Sequence, residues 1–324
     1  MTAALLPILV VTLAFVIGYA IRRGSICIVA ATHAFVVQRR SKRLRAFGVA
    51  VAAAGLIVIP LHWALPDTAM LSLSFPATLT VIAAGAIYAI GARVNNACAF
   101  GTLAYITGGK IVYVMTLVGA AIGASLALFY QPLWAARGTP APSSLYDPTP
   151  FSLAVLALFL GIVLVTAGRR GRVWWQDLRG AEKDRLGPFR AMLIIGVFSG
   201  LLYAVMGGWT HMGLLSRNAG VLLGQTTPKN DLLLLLSAAA LFVGGLAAAI
   251  RSGQFQLSAP QLGEFARCLV GGTLMGAAAA VIPGGNGIML VHGLPSLAAN
   301  AWTAYAVMTL VLCVTFLSRS RNPA

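Results

Sequence analysis

"GARVNNACAFG", residues 91 to 101, is the stretch on which the reading of this chain turns. It lies between two strongly apolar runs, Pro76 to Ile90 and another that begins near Ile111. A membrane helix that simply ended here would need neither paired amides, nor a thiol, nor flanking glycines. Asn95 and Asn96 are able to satisfy orphan backbone groups at a helix end, and Gly101 allows close packing. The stretch reads as a hinge between a full membrane span and a half-helix.

Composition sets the environment of that hinge. The chain has 324 residues, 59% hydrophobic and only 9% charged, where a soluble domain carries about 25% charged residues. It is therefore read as an all-α polytopic membrane protein. The opening segment, Ala3 to Ile21, is too long for a signal-peptide core and has no basic leader, so it is taken as a span. A net charge of +16 would suggest nucleic acid in a soluble protein. Here most Lys and Arg sit in short blocks between apolar runs, so a lipid bilayer and no nucleic acid is implied. The four cysteines, Cys27, Cys98, Cys268 and Cys313, fit neither a zinc spacing nor a redox CxxC. No disulfide framework, metal or cofactor is called for.

Apolar windows place spans near residues 3 to 21, 46 to 65, 76 to 93, 110 to 131, 151 to 167, 191 to 208, 229 to 251, 261 to 282 and 301 to 318. That makes about nine, each near the ~20 residues a bilayer requires. Left over are stretches near 24 to 37, 95 to 108, 211 to 224 and 284 to 299, rich in Gly, Asn, Ser or His. At about 14 residues each, none crosses a bilayer as a helix. The basic blocks Arg39 to Arg45 and Arg169 to Arg190 and the tail "SRSRNPA" belong in the cytoplasm by the positive-inside rule. The amino terminus is then periplasmic and the carboxyl terminus cytoplasmic.

With that orientation the first two short segments hang from one face and the last two from the other. Each half reads span, short segment, span, span, short segment, span, which is the grammar of an inverted-topology repeat. The expected division is 1–131 for the first repeat, 132–190 for a linker with one span and a basic loop, and 191–324 for the second repeat. A short segment that enters hydrocarbon and turns back is tolerated only where protein or a water-filled cavity surrounds it. Such segments imply a central pathway.

Cys27 in "RRGSICIVAATHAF" and Cys98 in "NNACAF" occupy similar places, each at the start of a short segment. A half-helix amino terminus offers unpaired N–H groups and a positive dipole end, which suit an anion. A thiol there adds a weak donor for a polarisable acceptor. A thiolate would repel an anion, so the neutral thiol is the working form, and a sulfur-containing ligand is the natural partner. Cys268 and Cys313 fall inside full spans and read as small core residues. In the second half, "VIPGGNGIMLVHGLPSL" stands where Cys98 stands in the first, with Gly284, Gly285, Gly287 and Asn286 but no cysteine. His211, Ser216, Arg217 and Asn218 mark the remaining short segment; His33 and His292 have no acidic neighbour in sequence.

At these residues the chain resembles the YeeE/YedE family of bacterial thiosulfate and sulfur-compound transporters. The resemblance rests on "GYAIRRGSICIVAATHAF", "GARVNNACAFGTLAYITGG" and "PGGNGIMLVHGLPSLAANAWTAYAVM", and covers most of the chain. It implies an hourglass-like monomer of nine membrane helices and four short plug-like helices, in a bacterial inner membrane, handing thiosulfate along a line of thiols. Cys27 and Cys98 match two of those thiols. The third departs: where transporting members carry a Gly-Cys-Pro-like turn, this chain has Gly284-Gly285-Asn286. The expected substrate pathway is Cys27, Cys98, Gly285 and Asn286, with Ser25 and Asn96 beside the thiols. The substrate is thiosulfate or a related small sulfur anion, with Asn286 donating in place of a thiol. Some relatives work with a small soluble sulfur-carrier protein, for which the basic loop Arg169 to Arg190, with Trp174 and Trp175, is a docking face. No Gly-x-x-x-x-Gly-Lys-Ser loop is present, so the reading is a permease and not an ATPase. A membrane-embedded thiol sulfurtransferase and a membrane anchor for a sulfur relay are the alternatives.

Overall fold

The computed structural model describes residues 5–130, 138–168, 186–207, 214, 218, 232–282 and 285–321. Within them the chain is helical, with one isolated β-bridge joining Ser74 to Ala141 in the connecting loops. The long helices are α1 (Leu5–Gly24), α3 (Lys42–Ala64), α4 (Leu79–Asn95), α6 (Val114–Phe129), α7 (Pro150–Gly168), α8 (Pro188–Met206), α9 (Leu232–Arg251), α10 (Leu262–Val281) and α12 (Ala299–Arg321). Among the described residues these mark 9 candidate membrane spans by length and apolar content. The all-α polytopic fold expected from the sequence is the one observed.

Between them lie short helices: α2 (Ile28–Val36), α5 (Ala99–Thr107) and α11 (Gly285–Ile288), which runs into a π-helical turn, Met289–Gly293. They fall within three of the four stretches too short to span. The fourth, 211 to 224, lies outside the described residues except for Leu214 and Asn218, as do Pro283 and Gly284. Of the basic loop Arg169 to Arg190, residues 169–185, including Trp174 and Trp175, also lie outside them.

Helix association in lipid depends on close backbone approach, since lipid tails are as apolar as leucine. Small residues provide it here. A Cβ added at Gly119 or Gly123 of α6 would run into the carbonyl of Leu269 or Thr273 on α10, and one at Gly18 of α1 into that of Leu241 on α9. The resulting pairs are regular. α6 lies on α10 and α12 on α4; α1 lies on α9 and α8 on α3; α1 also meets α8, and α4 meets α10. Exchanging α1 with α8, α3 with α9, α4 with α10 and α6 with α12 maps this set of pairs onto itself. Part of the packing of the short elements follows the same exchange: α5 rests on α1 and α9, and the π-helical turn on α8 and α3, though the turn also rests on α12. α7 stands apart, packed on α3 with Phe159 over Gly55 and most of its surface uncovered.

On one face of the bundle, loops are tied to one another by hydrogen bonds. The Phe75 N–H donates to Asn300 Oδ1 at 3.1 Å, the Ser72 N–H to Ser296 Oγ at 3.1 Å, and Ser143 Oγ to the Ser296 carbonyl at 2.6 Å. These bonds tie the α3–α4 loop and residues 138–149 to the segment that follows α11.

Candidate functional site

Three turns feed the short helices, and each contains a residue in the left-handed region: Ser25 (φ 48°), Asn96 (φ 57°) and Gly285 (φ 62°). Asn tolerates that conformation, Gly adopts it freely, and for Ser it costs more. In the first two turns the cysteine follows two residues later, in extended geometry, as the residue before the short helix. Neither thiol caps its own helix. Both are free to face elsewhere.

They face each other crosswise. The Cys98 N–H donates to Cys27 Sγ at 3.5 Å, and the amides of Ile28 and Gly101 approach the Cys98 sulfur. Each thiol thus lies among the opening amides of both short helices, its own and the other, where the first N–H groups have no intrahelical partner. Cys27 is 9% exposed and Cys98 0%. Gly101 makes the approach possible, because a Cβ there would sit 2.8 Å from Cys27 Sγ and 3.2 Å from its Cβ.

Asn286 comes to the same place from the other half of the chain. It is fully buried, its Oδ1 accepts from the Tyr88 hydroxyl at 3.1 Å, and its Nδ2 faces the Cys98 sulfur with no hydrogen bond to any described residue. Gly285 packs against Tyr88 and Ala279; a Cβ there would lie 3.3 Å from each. Of the six residues expected on the pathway, the structure gathers Cys27, Cys98, Gly285 and Asn286. Ser25 and Asn96 form the left-handed turns that precede the two cysteines, and Asn96 also lines the cleft described below. The Asn96 side chain is exposed and accepts from the Arg93 guanidinium at 3.0 Å.

The neighbouring Asn95 is buried, with both ends of its amide hydrogen-bonded. Its Nδ2 donates to the Ala97 carbonyl at 2.9 Å and to Thr102 Oγ1 at 3.2 Å, while its Oδ1 accepts from Thr116 Oγ1 at 2.8 Å. One amide therefore ties α4, the Cys98 turn, α5 and α6 together. Tyr88, Tyr305 and Thr116 carry no mark in the sequence, because nothing distinguishes a Tyr or Thr in an apolar run until the helices are packed.

A cleft of about 460 Å³ opens beside the two thiol turns, lined by Val29, His33, Arg40, Lys42, Arg43 and Asn96 among others. Its inner wall is Phe316, whose ring carries the Arg93 guanidinium at 4.7 Å and meets His33 edge-on at 5.1 Å. Among the described residues that line this cleft there is no Asp or Glu. His292 lies elsewhere, buried with its ring 5.6 Å from that of Tyr203. Cys268 packs with Ala97, Val112 and Tyr113, and Cys313 is only partly covered. Among the described residues no group of three His, Cys, Asp or Glu side chains is placed to hold a metal ion.

Interrupted helices that bring thiols and amides into the interior of a many-spanning bundle define a multi-pass membrane protein with a polar centre. Residues 23–314 match the family model for sulphur transport, and the chain belongs to that YeeE/YedE sulphur transport family. Its role is sulphur transport. No curated protein matches the chain.

Proposed function

We propose that the protein is an inner-membrane permease for a small sulfur anion, thiosulfate or a close relative, which passes through the bundle by hydrogen bonds from Cys27, Cys98 and Asn286. The observation that carries this reading is the convergence of α2, α5 and α11: two buried thiols in mutual contact and an unpaired amide facing them. A polarisable S–H donor suits a terminal sulfur, and the free amides at the starts of α2 and α5 favour negative charge. Loss of one hydrogen bond to a charged ligand costs about 1.5–3 kcal/mol, so each contact is strong enough to select and weak enough to release.

The contact pattern described above supports treating residues 1–131 and 191–324 as inverted repeats with 132–190 as their linker. In that arrangement the face with the bonded loops is periplasmic, the basic cleft opens to the cytoplasm, the amino terminus is periplasmic and the carboxyl terminus cytoplasmic. A small soluble sulfur-carrier protein would then meet the anion at the cleft. The reaction is transport without chemical change, for which no catalytic residue or cofactor is needed.

Uptake of radiolabelled thiosulfate into proteoliposomes tests this directly. Unmodified thiosulfate should accumulate inside, and Cys98→Ala should lower uptake at least tenfold while the purified variant elutes and melts like the parent. Chemically altered sulfur inside the vesicles would instead indicate a sulfurtransferase. Absence of flux until a soluble carrier is added would indicate an anchor.

A further inference from the structure

Buried polar atoms are nearly always paired, because leaving a donor or acceptor without a partner carries the full desolvation cost. Around Cys98 two break that rule. The Asn286 Nδ2 and the Tyr305 hydroxyl are both shielded from solvent and make no hydrogen bond to any described residue. Tyr305 belongs to α12, which packs on α4; Tyr88 lies in α4, and Cys98 in the turn between α4 and α5. The two helices come close at Gly85, where an added Cβ would lie 2.9 Å from the Ala304 carbonyl. That approach sets Tyr305, the next residue along α12, on the side of α4 that carries Tyr88, one turn beyond Gly85, within electrostatic range of Tyr88 and of both thiols.

The orientation of the Asn286 amide follows from its surroundings. The backbone amides of Ala99 and Asn286 are directed toward the Tyr88 oxygen, which favours the hydroxyl proton going to an acceptor, Asn286 Oδ1 at 3.1 Å. A flipped amide would turn an NH2 group toward a hydroxyl already surrounded by donors. The free end of Asn286 is therefore the donor end. Two hard donors, an N–H and a phenolic O–H, are left without a partner among the described residues, near two soft S–H groups.

We infer that Tyr305, together with Asn286, reads the oxygen atoms of the transported anion, while Cys27 and Cys98 hold its terminal sulfur. This rests on the permease reading above and adds to it a specificity-determining residue, Tyr305. Division of labour follows from donor strength. Amide and phenol protons bond oxyanions well and thiols bond them weakly, whereas a large, diffuse sulfur tolerates the longer S–H contact. An anion with oxygens but no terminal sulfur fills one pole and leaves the thiols unmatched. Sites built to hydrogen-bond a group discriminate strongly against ligands that leave such groups unpaired.

The test is concentration-dependent uptake of radiolabelled thiosulfate by the full-length protein in proteoliposomes, comparing the parent with Tyr305→Phe, which keeps the ring and removes only the hydroxyl. The expected result is a KM raised roughly ten- to hundredfold, the equivalent of one hydrogen bond to a charged partner, with the maximal rate within about twofold. A purely structural Tyr305 would lower the maximal rate through loss of folded protein and leave KM in place, and that outcome overturns the inference. So does a KM within twofold of the parent. Asn286→Asp, which exchanges the donor for a carboxylate of the same shape, should abolish uptake; retained uptake contradicts the assignment. Sulfate in tenfold excess should leave thiosulfate uptake within twofold, and strong inhibition by sulfate would show that oxygens alone are read. Should Cys98→Ala abolish uptake while Tyr305→Phe does not alter it, the inference fails and the permease stands. Should the parent move no thiosulfate, both fall.

Discussion

The Cys27 and Cys98 turns and the Asn286 turn use a similar backbone device for different chemistry. Each places a left-handed residue shortly before a short helix or at its first position, at Ser25, Asn96 and Gly285, and each delivers one side chain to the centre of the bundle. The first two deliver thiols that sit among backbone amides of the two short helices. The third delivers an amide whose orientation is fixed by a side chain, the Tyr88 hydroxyl. A thiol has little directional preference and can be held by whatever main chain surrounds it. An amide has a donor end and an acceptor end, and it needs a partner that specifies which end faces inward. The departure from a third thiol is thus accompanied by a tyrosine able to orient its replacement.

The comparison can be broken most severely on the thiol side. Cys98→Ala removes a fully buried sulfur in contact with Cys27, and uptake should fall by roughly ten- to hundredfold, as expected for the loss of a hydrogen bond to a charged ligand. Gly101→Ala keeps both thiols but drives a methyl group against Cys27 Sγ, 2.8 Å from the ideal Cβ. It should cost about 1–3 kcal/mol in stability and reduce uptake, seen as a lower melting temperature and a slower initial rate.

On the amide side the expected effects are smaller and sharper. Tyr88→Phe leaves Asn286 buried without the hydroxyl that fixes its acceptor end, so the amide can turn over. The KM for thiosulfate should rise several-fold, with stability reduced by about 1 kcal/mol. Measuring KM and melting temperature on the same sample separates the two. Asn95→Ala tests the hinge itself: it removes the bonds to Ala97, Thr102 and Thr116, should lower stability by about 1–3 kcal/mol, and should alter KM less than Tyr88→Phe does. Cys313→Ala, at a partly covered position away from these turns, should leave uptake within about twofold of the parent.

The long helices were legible in the sequence because a membrane span needs only length and apolar composition. The hinges were legible because Gly, Asn and Ser clustered inside such a run weaken it as a continuous helix and suit a turn. Cys27 and Cys98 could be picked from four cysteines by their place at the start of short segments. Their contact could not, since it depends on how α2 and α5 pack across 71 residues of chain. Asn95 and Asn96 illustrate the limit. Adjacent and identical in type, they differ only in which way the chain turns between them: Asn95 is buried in a network, and Asn96 points outward. Tyr88 and Tyr305 gave no signal, because an aromatic residue in an apolar helix looks the same whether its hydroxyl meets lipid headgroups or the centre of the bundle.

The central claim is that Cys27 and Cys98 face one another on the path of the anion. A variant carrying Cys268→Ala and Cys313→Ala keeps only these two thiols, and mercuric ion, which bridges paired thiols, can then be titrated against thiosulfate uptake in proteoliposomes. The account predicts that uptake stops as the pair is bridged, that excess thiosulfate slows the block, and that a thiol reductant restores transport. Full bridging of the two sulfurs with uptake unchanged would contradict it.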